Sequence, residues 1–358
     1  MVTFPLIPPR ALHEWALPSH GLSVDTIDAH SGGQTLRLIT GGLPPLRGAT
    51  MMDRWRNARD HFDHLRRSLL CEPRGHPDMC GCILTPPQRG DSHLGAVFLH
   101  AGGFSPMCGH GIIALTTILL ECGMVDSTAP ETVLRIDTPA GTVRASGFTE
   151  DDQVTRVRFE NVPSWSVAES QEVEIPGLGQ VRFDLAYGGA FFAFVTAASL
   201  GVSTQAENIQ ELAATGRAFL QAVHGKLRLR HPVEPDLEHL FGVVFLDESE
   251  ADGRAPSGIS RQVCVFADGS VDRSPTGMAL CARLALMAGQ GRLTEGQPLT
   301  VEGITGTRFQ GRIIGPAQRD AHNPPNSVIC EIEGSAWITG RHTFLISPDD
   351  PFREGFSL

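Results

Sequence analysis

The 358-residue chain lacks most of the features that would assign it quickly. No apolar run is long enough to span a bilayer, so no membrane partner is expected. Residues 1–9 hold prolines and no long apolar core, so no secretory signal is expected there either. Basic residues never cluster beyond short pieces such as Arg54-Trp55-Arg56 and Arg66-Arg67, and the formal net charge is −11. That balance argues against a nucleic-acid surface. Neither common glycine-rich phosphate loop is present, nor a Ser-His-Asp signature. The pair Cys80-Gly81-Cys82 is too close for a usual zinc half-site, and no second pair completes it, so no metal is expected. Eight cysteines in a chain of this length, with no secretory signal, read as reduced thiols of a cytoplasmic protein.

What is present centres on Met107-Cys108-Gly109-His110-Gly111. The residues that follow, 112–120, are apolar on nearly every face, and a helix apolar all round is buried. Its start then points Cys108 and several free backbone N–H groups into the protein. A helix N-terminus carries partial positive charge, so this place holds an anion and favours a thiolate. Composition alone leaves the other reading open, a buried cysteine packed as a small hydrophobe.

Alternating patterns predict short strands at 22–27, 35–39, 82–84, 95–100, 133–138, 141–145 and 154–161. Further strands are expected at 179–187, 191–196, 243–246, 262–266, 299–302, 311–314, 327–332 and 335–346. Residues 28–33 read as a turn, 72–79 as a loop and 247–257 as an exposed turn region. A charged helix over 51–70, outside the core, and a surface helix over 209–225 complete the pattern. Many short strands around few helices give an α+β fold with curved sheets, and the length suggests two domains.

A second stretch, Asp272-Arg273-Ser274-Pro275-Thr276-Gly277-Met278, echoes the first. Thr276 stands where Cys108 does, a glycine follows each, and residues 280–288 again form a largely apolar helix. Two such helix starts facing each other would hold one carboxylate between two sets of N–H groups. With Asp28-Ala29-His30-Ser31-Gly32-Gly33, Glu72-Pro73-Arg74-Gly75-His76 and Tyr187-Gly188-Gly189-Ala190-Phe191, these motifs resemble the proline racemase family over nearly the whole chain.

The resemblance implies a fold of the diaminopimelate-epimerase type. Two similar domains would each wrap a curved sheet about a central helix, with the site between them. The first domain would cover residues 1–170 plus a returning segment 335–358 and carry Cys108; the second, 171–334, would carry Thr276. It implies no cofactor and a small-molecule substrate, and leaves a homodimer open. Cys108 would be the acid and base. Gly109, His110, Gly277 and Met278 would offer backbone N–H groups to a substrate carboxylate, and Asp272 would face the ring nitrogen. His30, His76 and Cys281 are read as structural.

Racemases of the family have cysteine on both helices, one for each face of the substrate carbon. Thr276 breaks that pattern, because a hydroxyl titrates far too high for the second role. The cysteine-then-threonine arrangement resembles the branch that dehydrates trans-3-hydroxy-L-proline, with Thr276 either touching substrate or filling space. Two alternatives remain at this stage: an epimerase or racemase using one thiol and a water, and a non-catalytic binder of proline-like amino acids.

Overall fold

The computed structural model describes residues 19–247, 259–318 and 323–357, and among these, alternating apolar and polar residues make seventeen strands. Residues 1–9, and 248–257 of the expected turn region, lie outside the described residues. The first part runs β1 (Leu22–Ser31), β2 (Gln34–Gly41), α1 (Met51–His61), α2 (Asp63–Leu70), β3 (Cys80–Thr85), β4 (Leu94–His100) and β5 (Gly103–Ser105). Helix α3 (Gly109–Glu121) follows, then β6 (Glu131–Thr138), β7 (Gly141–Glu150) and β8 (Gln153–Glu160). Next come β9 (Trp165–Ile175), β10 (Gly179–Tyr187), β11 (Phe191–Thr196), α4 (Ile209–Val223), β12 (Leu240–Leu246) and β13 (Ile259–Phe266). Helix α5 (Gly277–Gly289) precedes β14 (Leu299–Glu302), β15 (Arg308–Pro316), β16 (Val328–Gly334) and β17 (Ala336–Ile346).

The two helices at the centre occupy equivalent places. Strand β4 pairs with β6 in parallel, and β13 pairs with β14 in parallel. Parallel neighbours need a crossover, and α3 and α5 are those crossovers. Helix α3 packs against β1, β2, β3, β7, β8 and β17, and α5 against β9, β10, β11, β15 and β16. Each sheet thus curls about one helix, the α+β arrangement expected. Every residue from Gly109 to Leu120 is buried, as is every residue from Gly277 to Met287. Each buried Leu or Ile contributes about 1.5–3 kcal/mol, so these helices anchor their halves. The two sheets join where β8 pairs with β16, and the chain returns to its beginning where β17 pairs with β1.

Strand periodicity sends residues of β4 to opposite faces. Ala96 and Phe98 face the core that holds α3, while Val97 and Leu99 face a second core under α1 and α2. The expected single helix over 51–70 is two, broken at Phe62, and its charged face does not keep it clear of packing: Trp55, Leu65 and Leu69 are buried. The expected turn over 28–33 is mostly strand. Strand β1 runs on to Ser31, paired with β2 on one side and β17 on the other. Asp28 is tolerated there because Arg37 Nη2 holds its carboxylate at 2.7 Å. Only Gly32 and Gly33 turn, with φ of +62° and +85°. Strand β9 had no counterpart in the expectations: its middle is polar and exposed, and pairing with β10 makes it a strand.

Candidate active site

The starts of α3 and α5 meet at two glycines. A Cβ on Gly109 would lie 2.8 Å from Gly277 Cα, and one on Gly277 would lie 3.1 Å from Gly109 Cα. No other residue allows the two backbones so close. The first bonds inside the helices run from Ile112 N–H to the Cys108 carbonyl and from Leu280 N–H to the Thr276 carbonyl. The amides before them, including those of Gly109, His110, Gly277 and Met278, lack a partner inside their helix. Two positive helix ends therefore face one small space.

Cys108 enters α3 in extended backbone, φ −149° and ψ 110°. Its sulfur lies 3.4 Å from Nδ1 and 3.5 Å from Nε2 of His110, between the two ring nitrogens. The Gly111 N–H also reaches the thiol, and a Cβ on Gly111 would stand 2.9 Å from that sulfur. The helix start was expected to draw the Cys108 thiol toward thiolate. Against that pull, burial and the neighbouring Cys80 thiol push it well above the ordinary cysteine value, and the Gly111 N–H offsets this only in part. Cys80 is drawn the other way, well below, by its contacts with Cys108 and His110. Burial would depress the His110 imidazolium, yet Cys80, Asp272 and the Thr35 backbone raise it above the usual histidine value.

On the opposite side, Thr276 precedes α5 with φ +55°, a left-handed conformation that a β-branched residue rarely adopts. Its hydroxyl donates to Asp272 Oδ2 at 2.8 Å, and the Ser274 N–H donates to Asp272 Oδ1 at 2.8 Å. The Asp272 backbone N–H is itself anchored on the Cys264 carbonyl at 3.0 Å. Burial pushes the Asp272 carboxyl above the usual carboxylate range, against the opposing pull of His110, Thr276 and Ser274. Its carboxylate does not cap α5; it organises the loop before that helix.

All seven residues picked from the sequence, Cys108, Gly109, His110, Asp272, Thr276, Gly277 and Met278, line one cavity of about 30 Å³. That is space for about two waters, so the two halves stand closed on one another. Sequence reasoning missed the rest of the lining: Cys80, Leu99, His100, Ser105, Phe241 and Phe266. The two phenylalanines give it an apolar wall. His100, Phe241 and Phe266 also border a more open cleft of about 510 Å³ at the mouth. There His100 Nδ1 meets Asp268 Oδ2 at 3.3 Å, linking the two halves. Burial opposes the Asp268 charge, but His100 and Ser270 outweigh it and hold the carboxyl at about 2. No local pattern marks the phenylalanines, which topology alone brings here. Cys80 follows directly on the loop of residues 72–79, and its alternation with Cys82 was the available sign of an inward strand.

The other motifs lie outside the lining of this cavity. A Cβ on Gly188 would stand 2.3 Å from the Met278 carbonyl oxygen, so Tyr187-Gly188-Gly189 lets β10 touch α5. Arg74 ties the C-terminal segment, binding Asp350 Oδ2 and the Leu345 and Phe352 carbonyls. His30 stacks on Trp337 at 5.4 Å, His76 is exposed, and Cys281 is fully buried beside Cys330.

Comparison with known proteins agrees with this geometry. The sequence model of the family described as proline racemase matches residues 26–357. The trans-3-hydroxy-L-proline dehydratase of Colwellia psychrerythraea is 40% identical over 94% of this chain and 93% of its own. The trans-3-hydroxy-L-proline dehydratase of Homo sapiens is 39% identical over 96% of this chain and 97% of its own. Among solved structures, a hydroxyproline epimerase from Agrobacterium vitis with bound trans-4-hydroxy-L-proline superposes with a TM-score of 0.88 at 28% identity. That match covers 96% of each chain.

Proposed function

This chain belongs to the proline racemase family, and from that premise we propose that it is a trans-3-hydroxy-L-proline dehydratase whose acid and base is Cys108. The observation that carries the choice of reaction is Thr276. A second thiol would be needed to deliver a proton to the opposite face of the α-carbon. At that place stands a hydroxyl whose proton is already committed to Asp272 at 2.8 Å.

In trans-3-hydroxy-L-proline the hydroxyl lies trans to the carboxylate, and so on the same ring face as the α-hydrogen. One group on that face serves both steps. Cys108, as thiolate, takes the α-proton; the C–O bond breaks as the thiol returns that proton to the departing hydroxyl. Water leaves, the resulting enamine tautomerises, and Δ1-pyrroline-2-carboxylate is released. The amides of Gly109, His110, Gly277 and Met278 receive the carboxylate and stabilise the charge that develops on it, a form of electrostatic preorganisation. Asp272 receives the ring ammonium, a partner that offsets the cost of burying its charge. Phe241, Phe266 and Met278 exclude water and pack the ring.

The chain supplies both helix starts itself, so the site needs no second copy. The reading includes no metal or organic cofactor and a cytoplasmic setting; no described helix is long and apolar enough to cross a membrane. It also includes the division into a Cys108 unit of residues 1–170 plus 335–358 and a Thr276 unit of 171–334. The pairing of β17 with β1 supports that division.

The test is Cys108→Ser. Serine keeps the shape but titrates too high to act as base. Turnover of trans-3-hydroxy-L-proline should fall by about 100-fold or more, with an unchanged thermal unfolding midpoint. A serine variant that stays within tenfold of the natural rate would remove Cys108 from the mechanism.

A further inference from the structure

The proposed reaction leaves one polar group of the substrate without a partner. The carboxylate meets backbone amides and the ring ammonium meets Asp272, but the hydrogen of the 3-hydroxyl has no acceptor. A buried O–H left unpaired costs affinity. Ser105, the last residue of β5, lies on the wall of the same cavity and is 5% exposed. It sits directly across from Phe98 of β4, and residues opposite one another on paired strands point to the same face. Phe98 faces α3: a Cβ on Gly111 would stand 2.7 Å from its ring and 2.9 Å from the Cys108 sulfur. Ser105 therefore turns its side chain to the face of the sheet that holds Cys108, while its neighbour Phe104 turns to the other core. The Ser105 hydroxyl donates to the carbonyl of Met107, the residue before Cys108. With its one proton placed there, the oxygen is left as an acceptor.

The other polar side chains of the wall are engaged. Asp272 accepts from Thr276 and from the Ser274 N–H, and both Asp272 and Thr276 stand at the opposite helix start. The Cys80 sulfur takes an N–H of Gln34 Nε2 at 3.6 Å. His100 turns Nδ1 to Asp268 at 3.3 Å, and the ring nitrogens of His110 lie 3.4 and 3.5 Å from the Cys108 sulfur. We propose that Ser105 is the specificity-determining residue for the 3-hydroxyl, accepting its hydrogen bond on the face that Cys108 serves. Held so, the hydroxyl oxygen keeps its lone pairs for the Cys108 S–H, which protonates it as the C–O bond breaks. The hydroxyl hydrogen and the proton from Cys108 leave together in the water, and Ser105 neither gains nor loses a proton. L-Proline, which has no hydroxyl, leaves the Ser105 oxygen unused. The part of Ser105 in turnover rests on the dehydratase reading, whereas its preference for a hydroxylated ring does not.

The experiment compares trans-3-hydroxy-L-proline with L-proline in Ser105→Ala. Binding of each is titrated by calorimetry in the Cys108→Ser background, where turnover does not disturb it. With Cys108 intact, kcat/KM for trans-3-hydroxy-L-proline is measured alongside. In the alanine variant the ratio of the two dissociation constants should shift against the hydroxylated ring by about tenfold or more, with L-proline affinity unchanged. The loss in kcat/KM should be at least as large. Ser105→Cys fills the same place with a sulfur that accepts only weakly and should give the same shift, so the test does not depend on one variant folding. A shifted ratio in a protein that forms no imine when Cys108 is intact would uphold the contact and reject the dehydratase reading. An unchanged ratio in the folded variants, whether both ligands weaken together or neither does, would overturn the proposal. Ser105 would then be a support for the segment before α3, whatever the turnover.

Discussion

Thr276 combines a left-handed backbone, φ +55°, with a hydroxyl bound to a buried carboxylate. Strain of this kind costs about 1–3 kcal/mol and persists where the surroundings enforce it; here the Asp272 loop does so. Replacing it with cysteine keeps the size and puts a thiol on each helix. With 4-hydroxy-L-proline, which has no leaving group at position 3, Thr276→Cys should show slow inversion at the α-carbon where the natural protein shows none. Chiral chromatography after long incubation reads it, and a variant with no inversion would mean that a thiol at this place cannot reach the substrate. That Cys108 and Asp272 line one cavity was legible because their motifs are contiguous. The direction in which burial and Cys80 push the Cys108 thiol was not. A helix start is a local feature that sequence reveals, whereas contact with Cys80 is made only when β3 is laid beside α3.

At the scale of elements, the decisive contact is glycine on glycine between α3 and α5. In an exposed helix, Gly→Ala gains about 1 kcal/mol. At Gly109 the new Cβ would stand 2.8 Å from Gly277 Cα, so the helix starts must part. Overpacking of this sort costs about 1–3 kcal/mol, and a shift of about 1 Å in reacting groups costs about 100-fold in rate. Gly109→Ala should therefore lose kcat/KM far more than unfolding midpoint. Equal activity with a lowered midpoint would mean the contact serves stability alone. The buried helices and most strands were readable from periodicity. The strand through Asp28 was not, because its polar residues are satisfied by Arg37 from the next strand, a partner that pattern alone does not supply. Helices α1 and α2 were misplaced for the same reason, since their charges mask a narrow apolar stripe that covers the outer face of β4.

For the molecule as a whole, the cavity lies between two curled sheets, and in the proposed reaction it would keep bulk water from the carbanion-like intermediate. Contacts between the halves hold it closed: Arg273 with Asp78 at 2.6 Å, Arg56 with Asp236 at 2.6 Å, and His100 with Asp268. That long-range arrangement was legible through the family motifs and not from periodicity, which gives strands without their order. The most direct test is to incubate the natural protein in deuterated water with trans-3-hydroxy-L-proline and, separately, with trans-4-hydroxy-L-proline. Product mass and α-carbon configuration are then read. The one-thiol mechanism predicts loss of water to Δ1-pyrroline-2-carboxylate from the first and no inversion of the second. Inversion of either substrate with its hydroxyl retained would contradict it.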